Sequence, residues 1–146
     1  MKPRRYVKPT AIDRAFNGLI QLLTRLGVSV YGSRVLAVRG RKSGEWRTVP
    51  VNLLIDQGAR YLVAPRGETE WVRNMRTAGG GELRLGRSSE PFRAVELTDD
   101  EKPPILRLYL AKWWFEVGRF FEGVTRDASP DDLRRIAPDF PVFRVQ

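Results

Sequence analysis

A basic segment in the first third of the chain carries the side chains best suited to binding an anion. Residues 39–47 read RGRKSGEWR, which combines four cations, two glycines and a serine with one carboxylate, Glu45. Glycines let backbone N–H groups approach an anion, and Arg and Lys supply charge-assisted hydrogen bonds. The segment therefore predicts a site for a phosphate group or a polyanionic tail.

The spacing of the two glycines separates this segment from the common nucleotide-binding loops. A Walker A loop needs a different spacing and a following helix, and a dinucleotide fingerprint needs a third glycine in a βαβ unit. Apolar segments on both sides, residues 35–38 and 48–55, instead predict a β-hairpin with the cations at its turn. The alternative is a tip that is only solvated, because turns are commonly charged and rich in glycine.

A second group of candidate residues follows the third predicted strand. Residues 64–67 read APRG, and Trp71, Asn74 and Met75 then share one face of a short predicted helix. An unpaired buried amide costs about 1–3 kcal/mol, so Asn74 in this apolar stripe must have a polar partner. That partner is either a planar polar ligand or a nearby helix cap or turn.

A third group is an aromatic cluster in the second half of the chain. Its members are Tyr109, Trp113, Trp114, Phe115, Phe120 and Phe121. Core packing explains most of them, and a flat wall for a planar ligand is the alternative for the rest. Tyr109 is our candidate for a hydrogen-bond donor to charge that develops on a substrate.

Composition limits the chemistry that the chain can perform. The 146 residues contain no cysteine and no histidine. Disulfides, thiolate nucleophiles and Ser-His-Asp triads are excluded, and so is the commonest metal ligand, so we predict no metal site. The chemistry is therefore expected to come from a bound cofactor. The net charge of +9 predicts an anionic partner.

The elements that must position these residues fit one domain over residues 1–146. A loose basic arm is predicted over residues 1–9 and an amphipathic helix over 10–27, with Thr10 and Asp13 as its capping pair and Gly27 at its end. The apolar stripe of this helix comprises Ile12, Ala15, Phe16, Leu19, Ile20, Leu23 and Leu26. It predicts packing on the domain, with contact to a membrane surface as the alternative.

Short strands are predicted over residues 34–39, 47–55 and 60–64, and a hairpin over 82–86 and 91–97 joined through 87–90. Helices are predicted over 69–78, from the capping box of Thr98 and Glu101 into Phe115 or beyond, and after Ser129 and Pro130. Residues 142–145 are predicted to form an edge strand. The pattern favours a mainly β, α+β domain: a small β-barrel with peripheral helices.

Taken in order, these motifs resemble the deazaflavin-dependent nitroreductase family of actinobacteria. The resemblance lies in residues 38–44 (VRGRKSG), 47–51 (RTVPV) and 61–67 (YLVAPRG), followed by Trp71 and Asn74. It implies a split β-barrel of the FMN-binding type. It also implies binding of coenzyme F-420, an 8-hydroxy-5-deazaflavin with a phosphate and an oligoglutamate tail.

The resemblance assigns the cofactor site residue by residue. The phosphate and tail site corresponds to Arg41, Lys42, Ser43 and Arg47. The strand along the ring corresponds to Val49, Pro50 and Val51, and the ring loop and helix to Ala64, Pro65, Arg66, Gly67, Trp71 and Asn74. Many members have Ser and Gly-Gly where this chain has residues 65–67. Pro65 cannot donate an N–H, so a contact from the Arg66 side chain is expected to replace it.

The resemblance implies hydride transfer from the reduced deazaflavin to a small-molecule nitro compound, quinone or enone. An FMN-binding reductase of the same fold and a small basic barrel that binds nucleic acid are the alternatives. No specific nucleic-acid partner is expected, because the cations concentrate at one hairpin and one helix. A monomer or homodimer is expected. The absence of an apolar span or signal-peptide core indicates a cytoplasmic protein, with peripheral membrane contact as an alternative.

Overall fold

The computed structural model describes residues 5–8, 10–25 and 32–146, and in the first helix the side chains as far as residue 21. The six strands are β1 (Ser33–Arg39), β2 (Trp46–Asp56), β3 (Ala59–Val63), β4 (Gly80–Leu85), β5 (Ser88–Glu96) and β6 (Val142–Val145). The α-helices are α1 (Ala11–Arg25), α2 (Glu70–Ala78), α3 (Lys102–Val117) and α4 (Pro130–Ile136).

The strands form a closed antiparallel barrel in the order β1-β2-β3-β6-β5-β4. Strand β2 belongs to both halves of it, because residues 46–52 pair with β1 and residues 53–56 pair with β3. In the described chain, the second edge of residues 46–52 has no strand beside it. Pro50 lies on this stretch, where a residue without an N–H is tolerated. The mainly β, split-barrel fold with peripheral helices is therefore confirmed.

Two strand predictions need correction. Residues 142–145 are not an edge strand, because β6 pairs with β3 on one side and β5 on the other and so closes the barrel. Residues 88–90 are not part of a connecting loop, because β5 begins at Ser88 and pairs with Leu85 across a two-residue turn. Both differences arise from pairing partners distant in sequence or from turn length, which side-chain pattern does not specify.

The predicted helix boundaries rest on local hydrogen bonds. At the start of α1, the Thr10 N–H donates to Asp13 and the Asp13 N–H donates to the Thr10 hydroxyl, both at 3.1 Å. The Thr98 and Glu101 capping box is present, and the Ser129 hydroxyl accepts from the Asp132 N–H. The predicted α1 residues Leu23, Leu26 and Gly27 lie outside the described side chains or residues.

The described part of the N-terminal arm is docked, which corrects the prediction of a loose segment. The Val7 N–H donates to the Arg66 carbonyl and the Glu68 N–H donates to the Arg5 carbonyl, each at 2.9 Å. Gly67 lies directly beneath this crossing with a φ of 86°, and an added Cβ would lie 1.9 Å from the Arg5 carbonyl oxygen. Glycine is required here because the two backbones approach so closely.

Two apolar clusters hold the domain together. One fills the barrel and includes Leu36, Leu62 and Met75. The other packs α3 and α4 against the barrel, and in it the Phe121 and Phe140 rings stack with centroids 4.1 Å apart. The aromatic residues grouped in the sequence analysis therefore differ in burial. Tyr109, Trp113, Phe120 and Phe121 are buried, Trp114 is half-buried and Phe115 is exposed.

Candidate functional site

A large cleft lies along the unpaired edge of β2. Its volume is about 1000 Å³. The walls come from α1, from β2, from the loop between β3 and α2 with the start of α2, and from the end of α3. A cleft of this size is in the range of cofactor and small-molecule sites.

Helix α1 forms one wall with its apolar face. Ile12, Phe16 and Ile20 line the cleft at helical spacing, yet Ile12 is 82% exposed and Phe16 is 52% exposed. The predicted packing of this stripe against the domain is therefore wrong for Ile12 and Phe16, which face an open cleft, whereas Ile20 is partly buried. Phe115 at the end of α3 is 70% exposed and lines the same cleft.

Polar contacts hold α1 near its first turn and again at the last of its side chains that the structure describes. The Asp13 carboxylate binds the guanidinium groups of Arg119 at 2.6 Å and Arg66 at 3.1 Å. Gln21 donates to the Thr48 hydroxyl at 2.8 Å, next to the hairpin. The hydrogen bond from Arg119 is the largest cause that holds the pKa of Asp13 well below its usual range.

The basic segment forms the turn between β1 and β2, as predicted. The Gly40 N–H donates to the Glu45 carbonyl and the Gly44 N–H to the Gly40 carbonyl, both at 2.8 Å. Gly44 has a φ of 73°, a conformation that favours glycine. Arg39 stacks on the Trp46 ring, with 4.2 Å between the guanidinium carbon and the ring centroid.

The cations of this turn differ in their surroundings. Lys42 and Ser43 are exposed at the tip, and Arg47 lines the cleft with the Glu45 carboxylate at 3.8 Å. Arg41 binds the Glu70 carboxylate at 2.8 Å. This hydrogen bond is the main cause that lowers the pKa of Glu70.

Asn74 connects the hairpin to α2. Its Oδ1 atom accepts from the Arg41 backbone N–H at 3.1 Å and from the Arg41 guanidinium at 2.8 Å. Asn74 is buried and lines the cleft, so its oxygen makes the turn contact that was the alternative to ligand binding.

Most of the residues predicted to contact the deazaflavin ring line the cleft. Val49, Pro50 and Val51 line it from β2, and Pro65, Arg66 and Trp71 line it from the opposite loop and α2. Trp71 is half-buried, and its ring centroid is 5.8 Å from that of Phe143. Ala64 and Gly67 are buried behind this surface and do not line the cleft.

The structure thus brings most of the predicted site residues to one cleft. The residues that line it are Arg47, Val49, Pro50, Val51, Pro65, Arg66, Trp71, Asn74 and Tyr109. The predicted residues outside the lining are Arg41, Lys42, Ser43, Ala64 and Gly67. The first three of these form the adjoining hairpin turn between β1 and β2.

Asn52 and Glu116 line the cleft beside Tyr109 and were not predicted. The Asn52 Nδ2 group donates to the Glu116 carboxylate at 3.3 Å. Tyr109 is 2% exposed, and burial raises the pKa of its hydroxyl while a hydrogen bond with Asn52 opposes the shift. Asn52, an amide inside the apolar run of residues 49–55, was the signal in the sequence that could have identified this group.

The described residues contain neither a group of potential metal ligands nor a helix that could span a membrane. No three His, Cys, Asp or Glu side chains there come together as a metal site would require. No helix in that part of the chain has the length and hydropathy needed to cross a membrane.

Solved structures share this fold. A protein of unknown function from Agrobacterium tumefaciens superposes with a TM-score of 0.59 at 18% identity, over 99% of this chain, which spans 58% of that protein. An F420H2-dependent reductase, FDR-A, superposes with a TM-score of 0.53 at 20% identity, over 79% of this chain and 94% of that one. A domain-swapped dimer gives 0.56 at 18% identity, over 94% and 100%. At these identities the likeness shows the fold alone.

Sequence comparison is more specific about the family. No protein of curated function matches the chain. The profile of the F420H2-dependent quinone reductase family matches residues 9–124, which include α1, the basic hairpin, α3 and every residue that lines the cleft except Tyr6. The protein therefore belongs to the F420H2-dependent quinone reductase family.

Proposed function

We propose that this protein reduces a small planar electrophile, of which a quinone is the first candidate, with reduced coenzyme F-420 as the hydride source. Family membership supports an oxidoreductase that depends on this deazaflavin. Nitro compounds and enones are further candidate substrates. The observation that carries the proposal is one cleft in which a basic hairpin adjoins an apolar wall along an unpaired strand edge.

The charge distribution fits an elongated acidic cofactor. Arg47 lines the cleft, and Lys42 and Ser43 are exposed on the adjoining turn, where they are accessible to a phosphate or to the carboxylates of an oligoglutamate tail. Arg41 is bound to Glu70 and Asn74, so its main role is to hold the turn against α2. Lys42, Ser43 and Arg47 would bind the acidic end of the cofactor.

The apolar part of the cleft fits a planar ring system. Val49, Pro50 and Val51 would lie along one side of the deazaflavin, and Pro65 and Trp71 would contact it from the opposite side. When bound and reduced, this cofactor supplies a hydride. The role of the chain is then to hold cofactor and substrate in contact and to exclude water, which requires neither His nor Cys.

The other charged residues of the barrel argue against a nucleic-acid surface. Several arginines are bound to carboxylates, among them Arg60 to Glu90 and Arg84 to Glu82. Such pairs neutralise the cations that a phosphate backbone would need. Steep salt-dependent binding of single-stranded DNA would contradict this interpretation.

Fluorescence titration with oxidised F-420 tests the cofactor assignment directly. We expect saturable binding of F-420, and a parallel titration with FMN serves as the control. Tight FMN binding without F-420 binding would support an FMN reductase of the same fold instead. A second measurement then follows oxidation of reduced F-420 by a soluble naphthoquinone, a nitroarene and an enone, and the preferred acceptor identifies the substrate class.

The partners and location of the protein remain predictions. A monomer or homodimer is expected, and light scattering after size-exclusion chromatography measures which is present. A cytoplasmic protein is expected. The exposed α1 residues Ile12, Phe16 and Leu19 are consistent with peripheral membrane contact as the alternative. Flotation with anionic and with neutral lipid vesicles separates these two outcomes.

A further inference from the structure

Two arginines share one carboxylate in the wall of the cleft. Arg66, in the loop between β3 and α2, and Arg119, in the segment after α3, bind Asp13 of α1 at 3.1 and 2.6 Å. All three side chains line the cleft. We call Arg66 and Arg119 the arginine pair. Two cations against one carboxylate leave a positive charge uncompensated within this group, and such a charge in a cleft attracts anionic ligands.

The arginine pair and the basic hairpin contact different parts of the α1 wall. Asp13 lies in the first turn of α1, whereas Gln21, further along the helix, hydrogen-bonds Thr48 beside the hairpin. Because an α-helix rises about 1.5 Å per residue, residues 13 and 21 lie about 12 Å apart along its axis. The cleft therefore has two separate cationic regions. A cofactor whose acidic part binds at the hairpin leaves the arginine pair for a second ligand.

Arg119 is the more accessible member of the arginine pair. Its side chain is 57% exposed, against 16% for Arg66. Each guanidinium carbon lies 4.5 Å from the Phe120 ring centroid, so one aromatic ring supports both groups. A guanidinium carries five N–H donors in a rigid fork that matches a carboxylate, and the contact with Asp13 uses only part of this capacity. Arg119 is therefore the residue of the pair that a ligand can reach.

The other carboxylates that line the cleft have partners of their own. Glu70 binds Arg41 at 2.8 Å, beside the hairpin. Glu116 accepts from the Asn52 amide at 3.3 Å and forms no ion pair with either arginine within the part of the chain that the structure describes. Asp13 is thus the carboxylate that balances the arginine pair, and it compensates only one of the two charges.

We propose that the substrate is a planar electrophile that carries a carboxylate, and that Arg119 binds this carboxylate as a specificity-determining residue. This inference rests on the proposed function. The ring of such a substrate lies against the apolar part of the cleft beside the cofactor, and its acidic group lies at the arginine pair. Arg119 orients the substrate through charge-assisted hydrogen bonds and takes no part in the hydride transfer itself.

Binding without cofactor tests the anion site directly. Isothermal titration calorimetry compares naphthylacetate with naphthylacetamide, which share a ring and differ in charge. Wild type should bind the acid about five- to tenfold more tightly, between the effects of a surface ion pair and a charged hydrogen bond. Arg119→Ala should abolish this preference, and Arg119→Lys should keep part of it. Arg134→Ala removes a cation outside the cleft and should leave the preference unchanged. A preference lost in Arg47→Ala but kept in Arg119→Ala would place the acid at the hairpin and overturn the assignment.

Asp13→Asn separates ligand binding from a structural role of the same contacts. The substitution removes the carboxylate that competes for both guanidinium groups, so the preference for the acid over the amide should rise by a further factor of about two to five. Loosening of α1 would weaken the binding of both naphthyl compounds alike and would leave their ratio unchanged. A ratio that stays constant or falls in Asp13→Asn would show that the arginine pair does not bind the acid.

Turnover with matched quinones connects the site to the reaction. A naphthoquinone with a carboxymethyl substituent is compared with its methyl ester, with reduced F-420 as the hydride source. In wild type, KM should be about five- to tenfold lower for the acid, and in Arg119→Ala the two KM values should be equal while kcat changes less. The affinity of Arg119→Ala for oxidised F-420 should match that of wild type. A loss of affinity that grows with the length of the oligoglutamate tail would assign Arg119 to the cofactor and overturn the proposal.

The outcomes are distinguishable from failure of the proposed function. A wild-type protein that binds F-420 and reduces the acid and the ester with equal KM overturns the carboxylate assignment alone. A wild-type protein that prefers naphthylacetate through Arg119 but does not bind F-420 retains the anion site and overturns the proposed function, and with it the assignment of the acid to a substrate.

Discussion

The guanidinium of Arg119 lies 2.6 Å from the carboxylate of Asp13, and this pair joins the segment after α3 to the beginning of α1 across the cleft. Arg66 binds the other carboxylate oxygen at 3.1 Å. Both guanidinium groups lie over the Phe120 ring at 4.5 Å. One buried carboxylate thus connects α1 to the loop between β3 and α2 and to the segment after α3, and the position of the α1 wall depends on it.

Asp13→Asn should loosen α1 without unfolding the barrel. The substitution keeps a polar side chain near Thr10 but removes the charge that binds Arg66 and Arg119. We expect faster hydrogen exchange of the amides in residues 11–21 and a lower Tm at neutral pH, with little change in the strands. Asp100→Asn is the matched control. Unchanged exchange in α1 would show that its apolar contacts alone hold it.

Lowering the pH should remove the stabilisation that the Asp13 carboxylate provides. Because the pKa of Asp13 is lower in the folded state than in the unfolded chain, its contribution is complete above the unfolded pKa. That contribution is lost as the pH falls below about 4 towards the folded pKa. The Tm difference between wild type and Asp13→Asn should therefore be largest near neutral pH and shrink in acid. A difference independent of pH would mean that charge is not responsible.

Lys42→Ala and Arg47→Ala should each weaken F-420 binding by about 1.5–3 kcal/mol, the range for one hydrogen bond to a charged group. Both side chains are exposed, on the hairpin or at the cleft, and maximal turnover should change less than affinity because they lie at the acidic end of the ligand. The measurement is fluorescence titration, with Arg134→Ala on α4 as a charge-matched control. Wild-type affinity in both variants would place the phosphate elsewhere.

Arg76→Ala should destabilise the fold more than the same substitution at the neighbouring Arg73. The Arg76 guanidinium donates twice to Glu96 at 2.7 Å and also binds Glu68, which is 6% exposed. Removing it takes away the guanidinium that binds both the buried Glu68 carboxylate and Glu96, at a cost of about 1–3 kcal/mol in the free energy of unfolding. Arg73→Ala, exposed on the same helix, should cost about 0.5 kcal/mol or less. Equal effects in denaturant titrations would contradict this assignment.

Gly67→Ala should be more destabilising than Gly58→Ala. Both glycines have positive φ, at 86° and 81°, so alanine strains each of them by about 1–2 kcal/mol. An added Cβ at Gly58 meets nothing within 4 Å, whereas at Gly67 it would clash with the Arg5 carbonyl. We expect Gly67→Ala also to release the arm, which limited proteolysis after Arg4 or Arg5 would detect. Equal unfolding free energies and an uncut arm would mean that the crossing adjusts at little cost.

Local chemistry in the sequence determined the hairpin turn and the helix starts. Gly40 and Gly44 allow the turn, and Thr10 with Asp13 begins α1 through hydrogen bonds that span three residues. Such contacts need no distant partner, so residue type and spacing were sufficient to predict them. Family resemblance added the order of the motifs and with it the cofactor class.

Tertiary structure decided the contacts between residues far apart in the chain. Asn52 and Glu116 are 64 residues apart, and Asp13 and Arg119 are 106 residues apart. An apolar stripe such as that of Ile12 and Phe16 is the same whether it packs into a core or faces a cleft. Barrel closure by β6, the burial of Tyr109 and the exposure of α1 all depend on which surfaces meet. Local pattern does not contain that information, because the energy of each contact depends on the packing of the whole domain.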